Sequence, residues 1–273
     1  MKRTLVSILG AALLALVLSP LPAAAQKAEV LWLGQASVRI TSTTGKVVMI
    51  DPFLRKNPKT PKKWKDLKAL GKIDVILITH GHFDHTADVG ALAKLTGAKV
   101  VGSGAMVGQL VSHGVIPKSQ AISMNKGGTI MPMGPGVKIS MVPADHSSSL
   151  RLVDPDIKKP RLVYAGAPVG YVITLENGFT IYHSGDTGVF GDMAFIGSYY
   201  QPDVALLPIG GHFTMDPAHA AYAVRELLKI KIVVPIHYGT FPPLKGTPEQ
   251  FKAALGDYPA DVVVMQPGEV RDF

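Results

Sequence analysis

The chain has 273 residues, a hydrophobic content of 47% and a formal net charge of +8. This length and apolar content suffice for one large core, so we expect a single α/β domain. There is no cysteine, which excludes disulfides and cysteine ligands, so the fold must rely on packing or on bound metal. No internal repeat and no low-complexity linker interrupts the pattern, which excludes a solenoid.

The first 25 residues have the layout of a secretory signal peptide. Two cations precede an apolar run over residues 5–18, and a proline break with small residues leads to Ala25. The run has about 14 residues, fewer than the roughly 20 that span a bilayer, which favours cleavage after Ala25 over a retained anchor. We predict a signal peptide over 1–25, one folded domain over 26–273, and a periplasmic or secreted protein with no stable membrane span.

Short β-branched runs alternate with helical segments in the rest of the chain. The predicted strands, in chain order, are EVLWLG, SVRITS, KVVMIDP, DVILITH, AKVVGS, GVKISMVPA, VGYVITL, FTIYHSGD, VALLPIG, KIVVPIHYG and DVVVMQPG. The predicted helices are TADVGALAKLTG, AMVGQLVSHG, MDPAHAAYAVRELLKI and TPEQFKAALG. Hairpin-rich sheets with helices outside them indicate a layered α/β sandwich, and not a doubly wound nucleotide-binding fold.

Polar side chains cluster where buried strands end. The segment THGHFDH, residues 79–85, holds three of the nine histidines and continues the predicted strand DVILITH. Three later strands also run out into a histidine or an aspartate at the carboxyl end. The candidate ligands at these four strand ends are His80, His82, Asp84, His85, His146, Asp186 and His237. A lone histidine is more often a core or surface residue, but this recurrence favours metal binding.

Imidazole and carboxylate groups are ligands of zinc and of similar divalent ions. Seven such groups suit two ions that share one carboxylate better than they suit one ion. Residues two apart in an extended loop point the same way, which places His80 and His82 on one ion. The ligands expected for the first ion are His80, His82 and His146. Those expected for the second are Asp84, His85 and His237, with Asp186 as the bridge.

These motifs resemble the metallo-β-lactamase superfamily over essentially the whole chain after the signal peptide. The segments WLGQAS, MIDPFL, LITHGHFDH, IYHSGDTG, PIGGHFTMDP and PIHYGTFP are similar to metal-dependent hydrolases related to ascorbate-phosphate lactonase and to N-acyl phosphatidylethanolamine phospholipase D. The resemblance implies a four-layer αββα sandwich with a binuclear metal site at one edge. The chain departs from it at Gln35, where relatives commonly have histidine.

The ligand set predicts hydrolytic chemistry. Two cations beside one water lower its pKa toward neutrality, so a metal-bound hydroxide is the expected nucleophile on an ester, lactone or phosphodiester bond. Two divalent ions are the expected cofactors; an exported location favours zinc, and manganese and iron also suit these ligands. The predicted catalytic residues are Asp84, which is also a ligand, and His212. His212 follows the strand VALLPI and is expected to contact substrate or to protonate the leaving group, with a structural role equally open.

A basic stretch over residues 55–68, RKNPKTPKKWKDLK, carries seven cations and one acid. Such a run is usually a solvated loop. Because it follows the strand VVMIDPF, it is also placed to overhang the metal edge and to attract an anion. The expected partner is therefore an anionic small molecule or lipid, and the oligomeric state is not predicted.

Three other interpretations stay open. A β-lactamase-like amide hydrolase would use the same ligands, and an iron protein that handles oxygen or sulfur is also compatible with them. A non-catalytic metal-binding or nucleic-acid-binding protein is suggested by the net charge after removal of the signal peptide, which is 26 cations against 20 acids, or +6. The basic residues form no recognisable nucleic-acid-binding module, so no nucleic-acid partner is expected.

Overall fold

The computed structural model describes residues 27–153 and 157–273. The predicted signal peptide over 1–25 lies outside these residues. Within them, no helix combines the length and the apolar character that a bilayer crossing needs.

Two mixed sheets form the centre of the fold. The strands of the first sheet are β1 (Glu29–Trp32), β2 (Val38–Thr41), β3 (Val47–Ile50), β4 (Val75–Leu77), β5 (Lys99–Ser103), β6 (Ala121–Met124) and β16 (Val270–Asp272). They lie in the order β16-β1-β2-β3-β4-β5-β6, so the last strand of the chain pairs with the first.

The second sheet and a separate hairpin complete the strand set. The strands of the second sheet are β7 (Thr129–Ile130), β8 (Lys138–Pro143), β11 (Val169–Thr174), β12 (Thr180–His183), β13 (Val204–Pro208), β14 (Ile232–Ile236) and β15 (Asp261–Val262). Their order is β15-β14-β13-β12-β11-β8-β7. The hairpin consists of β9 (Ser149–Val153) and β10 (Pro160–Tyr164), which pair antiparallel.

Helices cover the outer faces of both sheets. The α-helices are α1 (Lys62–Lys65), α2 (Phe83–Thr86), α3 (Val89–Thr96), α4 (Gly104–Ser112), α5 (Met193–Phe195), α6 (Pro217–Tyr222) and α7 (Pro248–Leu255). Short 3-10 turns span Leu67–Leu70 and Lys118–Gln120, and wider π-type turns span Ile196–Tyr200 and Ala223–Leu228.

Three buried apolar clusters define four layers. The central cluster joins the two sheets, with Val30 and Ile50 from the first and Tyr171 and Leu206 from the second. A second cluster packs α3 and α4 on the outer face of the first sheet. A third cluster packs α6 and α7 on the outer face of the second sheet. The predicted αββα sandwich is confirmed.

Strand direction brings four carboxyl ends to one edge. In the second sheet β12, β13 and β14 are parallel. β8 is antiparallel to β11, which is antiparallel to β12, so β8 and β12 run the same way. In the first sheet β4 lies parallel between β3 and β5. The loops after β4, β8, β12 and β14 therefore start from the edge that the sequence analysis identified.

Local signals predicted the longer helices well. Thr247 and Gln250 form a capping box at the start of the predicted helix TPEQFKAALG, which is α7, and the Asp216 side chain accepts a hydrogen bond from the backbone N–H of His219 in α6. The predicted helix over 86–97 begins later, at Val89, and the carboxylate of the preceding Asp88 accepts the backbone N–H of Leu54. The hairpin β9–β10 and the strands β6, β7 and β16 were missed, since they are short and partly exposed and lack a continuous apolar run.

One glycine sets the approach between the two sheets at this edge. Gly185 follows β12 with φ of +62°, and a Cβ built on it would lie 2.7 Å from Cβ of Thr79, which follows β4. A side chain here would meet both left-handed strain and a steric clash.

We expect Gly185→Ala to lower the free energy of unfolding by about 1–3 kcal/mol, because the backbone conformation and the Thr79 contact both oppose a methyl group. Thermal or urea unfolding measures the change. Gly191→Ala is the matched control, since no atom of the described residues lies within 4 Å of its Cβ position. Equal stability of the two variants would show that Gly185 does not constrain this edge.

Candidate metal centre

The seven candidate ligands meet at the common strand edge in two groups. Three histidines form the first group: His80, His82 and His146. Two histidines and two carboxylates form the second: Asp84, His85, Asp186 and His237. Within each group the ligand atoms all lie within 4.8 Å of one another. The chain thus brings together all seven side chains that the sequence analysis selected, in the predicted pairing; that each one binds an ion stays a prediction.

Asp186 lies between the two groups. Its Oδ2 is 3.0 Å from Nε2 of His237 and 3.3 Å from Nε2 of His85, both in the second group. The same oxygen is 3.8 Å from Nε2 of His146 and 4.0 Å from Nε2 of His80, both in the first group. One carboxylate oxygen therefore contacts ring nitrogens from three different loops.

A buried carboxylate behind the ligands fixes two of the imidazole rings. Asp51, at the end of β3, accepts hydrogen bonds from the backbone N–H and the hydroxyl of Thr79, at 2.8 and 2.6 Å. Its Oδ2 lies 2.8 Å from Nδ1 of His85, and Oγ1 of Thr79 lies 3.0 Å from Nδ1 of His80. With Nδ1 of both rings engaged, Nε2 of His80 and His85 is directed at Asp186.

Asp51 was missed by the sequence analysis although the signal was present. It follows the strand VVMI as the candidate ligands follow their strands, so its position in the sequence already indicates a place at the same edge. Its side chain is fully buried, so it supports the ligand rings from behind.

Gln35 occupies the position where relatives commonly have histidine. Its side chain is fully buried, and its Nε2 donates to Oδ2 of Asp84 at 2.8 Å and lies 2.6 Å from Nε2 of His237. The backbone carbonyl of Gln35 accepts from the backbone N–H of His237 and from the indole N–H of Trp32, both at 3.0 Å. Gln35 is thus held from both ends against the second ligand group.

Two buried carboxylates keep negative charge at the centre. Burial by itself would raise the pKa of Asp84, but the nearby His85 and a hydrogen bond from His237 lower it to about 2. Burial opposes ionisation of Asp186 as well, yet His237 and His85 hold the pKa of that carboxyl well below its usual range.

The same carboxylates favour the charged form of two histidines. Burial disfavours the charged form of His237, but Asp186 and hydrogen bonds to both carboxylates raise its pKa to about 9. The carboxylates of Asp186, Asp84 and Asp51 likewise overcome burial and raise the pKa of His85 well above its ordinary value. The buried carboxylates of the second ligand group therefore favour positive charge beside them. A divalent cation would supply that charge in place of the protons on the two histidines.

The unpaired atoms at the centre fit a metal ion. Nε2 of His85 and Oδ1 of Asp186 are buried and have no hydrogen-bond partner among the described residues. Buried polar atoms are normally paired, and an imidazole nitrogen beside a carboxylate oxygen is a donor set that zinc and similar ions accept. The residues present therefore fit a bound divalent ion.

His212 is not brought to the ligands. It is exposed, and in the described part of the chain no hydrogen bond or ion pair joins it to any of the seven. Its ring instead packs edge-on against Phe213, with centroids 4.3 Å apart. Its predicted role in catalysis stays a prediction.

His183 supports the loop that carries Asp186. It is fully buried, its Nε2 lies 3.0 Å from the carbonyl oxygen of Ala36, and its Nδ1 accepts from the backbone N–H of Gly185 at 3.1 Å. These contacts link the turn before Asp186 to the loop that carries Gln35.

A solvent-open cavity of about 550 Å³ lies over the ligands. Its walls include Gln35, Phe83, Arg151, Leu162 and Phe213. None of the basic residues at 55–68 lines it. Trp64, within that stretch, packs against the buried cluster on the outer face of the first sheet and so anchors the loop. The cation at the cavity is Arg151, on a hairpin that the sequence analysis did not detect.

Comparison with known proteins identifies the class. The family model described as a β-lactamase superfamily domain matches residues 46–238. A "UPF0173 metal-dependent hydrolase" of Cupriavidus necator is 56% identical over 259 residues, which is 93% of this chain and 90% of that protein. One of Myxococcus xanthus is 49% identical over 252 residues, 92% of this chain and 85% of that protein. The chain therefore belongs to the metallo-β-lactamase superfamily and, within it, to the UPF0173 metal-dependent hydrolases.

Solved structures agree with this assignment. Igni18, described as a novel metallo hydrolase from the archaeon Ignicoccus hospitalis, is similar with a TM-score of 0.77 and 36% identity, covering 90% of this chain and 98% of that one. The metallo-beta-lactamase fold protein YhfI of Bacillus subtilis has a TM-score of 0.66 at 14% identity, covering 91% of this chain and 100% of that one, and supports the fold alone. The prediction of a metal-dependent hydrolase of this superfamily is confirmed.

We expect Asp51→Asn to weaken metal binding about 10- to 100-fold, because the amide cannot orient Thr79 and His85 as the carboxylate does. Competition with a chromophoric chelator measures the affinity. Asp74→Asn is the matched control. Asp74 also accepts a backbone N–H, that of Val47, but it lies where β3 and β4 begin, at the ends of these strands away from the ligands. Unchanged affinity in a folded Asp51→Asn protein would contradict the role assigned to Asp51.

Metal uptake at pH 7 should release protons. His237, with a pKa of about 9, and His85 are protonated at that pH when no ion is bound, and both must lose the proton to bind one. Apparent affinity should therefore rise with pH and, for the His237 contribution, level off above about pH 9. Titration calorimetry in buffers of different ionisation enthalpy counts the protons. Affinity independent of pH between about 6 and 8 would contradict this charge assignment.

Proposed function

We propose that the protein is an exported binuclear hydrolase that cleaves an ester, lactone or phosphodiester bond in an anionic substrate. The position of Asp186 carries the proposal. Its Oδ2 lies within 4.0 Å of ring nitrogens from both ligand groups. A carboxylate in contact with both groups is what two ions with a shared ligand require.

The donor atoms suggest how the ions are held. The proposed ligands of the first ion are His80, His82 and His146, those of the second are Asp84, His85 and His237, and Asp186 is the proposed bridge. Because all donors are nitrogen or oxygen, zinc, manganese and iron fit, and we propose zinc. When bound, two divalent ions lower the pKa of a water between them and polarise the bond to be cleaved.

Residues around the proposed ligands hold them in place. Asp51 and Thr79 hold the rings of His80 and His85, and Gln35 holds the carboxylate of Asp84 by a hydrogen bond of 2.8 Å. Preorganised ligands of this kind need little rearrangement when substrate arrives. His212 packs against Phe213, which lines the cavity, so we propose that His212 contacts substrate beside it and does not touch the ions.

Metal-loaded protein should hydrolyse at least one compound in a panel of lactones, phosphodiesters, acyl phospholipids and β-lactams. Asp186→Ala should lower kcat by about 100-fold or more, because it removes the proposed bridge. Asp192→Ala is the matched control, since that aspartate is exposed at the start of α5 and should leave kcat unchanged. An active Asp186→Ala protein, or no turnover of any class by the metal-loaded protein, would contradict the proposal.

The export part of the proposal depends on residues 1–25. When the full chain is expressed in a bacterium, mature protein that begins at Gln26 should appear in the periplasm or medium. Mass spectrometry of the intact protein measures the N-terminus. Ala25→Arg should block cleavage, because signal cleavage sites require small residues. Full-length protein confined to the cytoplasm would overturn export and leave the hydrolase assignment standing.

A further inference from the structure

The cavity over the candidate ligands has one strongly apolar wall. Phe83 lies between two ligands in sequence, and its ring is 60% exposed. It is nevertheless held in place, because it packs edge-on against the buried Phe53 at 5.7 Å and also contacts Phe241 at 6.0 Å between ring centroids. A fixed aromatic surface beside the reacting bond favours an apolar substrate group.

Strand alternation determines which side chains of the hairpin line the cavity. In β9 the side chains of Leu150 and Leu152 are buried in the cluster on the outer face of the first sheet. Ser149 and Arg151 therefore point the other way, and both line the cavity. Leu162 of β10 lies directly opposite Arg151 in the strand register, and it also lines the cavity with 66% of its surface exposed.

Arg151 is the single lysine or arginine among the described residues that line this cavity. It makes no ion pair within 4.0 Å in the described part of the chain. The carboxylates that also line the cavity, Asp84 and Asp186, are engaged by Gln35 and by histidines. A guanidinium is always charged, and its planar fork matches a carboxylate or a phosphate group.

We propose that the substrate is an amphipathic anion. Its apolar chain or ring lies along Phe83, Leu162 and Phe213, and a carboxylate or phosphate group remote from the cleaved bond is bound by Arg151. This inference rests on the proposed function, since it names the substrate class of the same site. The residue expected to attract an anion is thus Arg151 in the cavity wall, and not the basic stretch at 55–68.

Matched esters test the role of Arg151. The probes are 4-nitrophenyl hexanoate, which is neutral, and the mono-4-nitrophenyl esters of adipic acid and of 6-phosphonohexanoic acid, which end in a carboxylate and a phosphonate. Hydrolysis adds one water and yields the acid and 4-nitrophenol in every case. The ratio of kcat/KM for each anionic ester to that for the neutral ester is the quantity measured.

The wild-type protein should prefer the anionic esters by about 10-fold or more, the range expected for a charge-assisted contact. Arg151→Gln should bring the ratio close to one, and Arg151→Lys should retain part of the preference. Arg161→Gln is the matched control, because Arg161 is on the other strand of the same hairpin and does not line the cavity. A preference that survives in folded Arg151→Gln would overturn the proposal, and the two anionic arms separate carboxylate from phosphate recognition.

A chain-length series tests the apolar wall. Lengthening the acyl group of neutral 4-nitrophenyl esters from four to eight carbons should raise kcat/KM by about 3-fold per methylene until the wall is covered. Leu162→Ser and Phe213→Ser should flatten this dependence. Leu95→Ser, at an exposed leucine of α3 outside the cavity, is the control and should preserve it. No dependence on length in the wild type would overturn the apolar part of the proposal.

Binding separates this inference from the hydrolase assignment. Calorimetry with adipate and hexanoate on metal-loaded protein needs no turnover. Tighter binding of adipate in the wild type, lost in Arg151→Gln, would support the anion site even if no ester were cleaved and the proposed function had failed. Equal binding of the two acids in both proteins would overturn the anion site, even if esters were hydrolysed.

Discussion

The structure depends on keeping the Asp186 carboxylate ionised in a buried position among imidazole rings. An isolated buried carboxylate would be costly, since its loss of hydration is not repaid by apolar neighbours. Here the cost is offset by His85 and His237, whose rings approach Oδ2 at 3.3 and 3.0 Å. The same arrangement presents nitrogen and oxygen donors to a cation. A buried carboxylate that would destabilise an ordinary core is thus the basis of the candidate metal centre.

Three residues around the candidate ligands have a backbone conformation that is rare for side chains. Gln35, Asp51 and His237 all have positive φ, between 47° and 54°, in the region that side chains rarely adopt. Each is tied down by its neighbours: the backbone N–H of His237 donates to the carbonyl of Gln35, and Asp51 binds Thr79. Strain of this kind persists only where the surroundings fix it, and it commonly marks functional sites. The two sheets are therefore joined at their shared edge by the residues that build the site.

The sequence predicted the layers and the convergence of the seven candidate ligands because both follow from strong, local patterns. Buried strands such as VILIT and VVPI end in polar residues, and parallel neighbours must deliver those residues to one edge. Asp51 obeys the same pattern and could have been found. The hairpin β9–β10 could not, because its alternation is confined to five residues per strand and its register is set by packing against the first sheet.

The placement of charge also depends on tertiary structure that local patterns do not encode. Residues 55–68 are far more basic than the hairpin, yet Arg55 of that stretch pairs with the buried Asp88 and Trp64 packs inward. Arg151, one cation in a short exposed strand, lies in the cavity wall. His212 follows the strand VALLPI, and its exposed ring packs against Phe213, a placement that the local pattern does not encode.

Anomalous X-ray diffraction from crystals of zinc-loaded protein would show how many ions bind and whether Asp186 contacts both. We expect two zinc peaks per chain, one beside each ligand group, with an oxygen of Asp186 within about 2.0–2.2 Å of both ions. A single peak, or two peaks of which only one contacts Asp186, would show that the two ligand groups do not share this carboxylate.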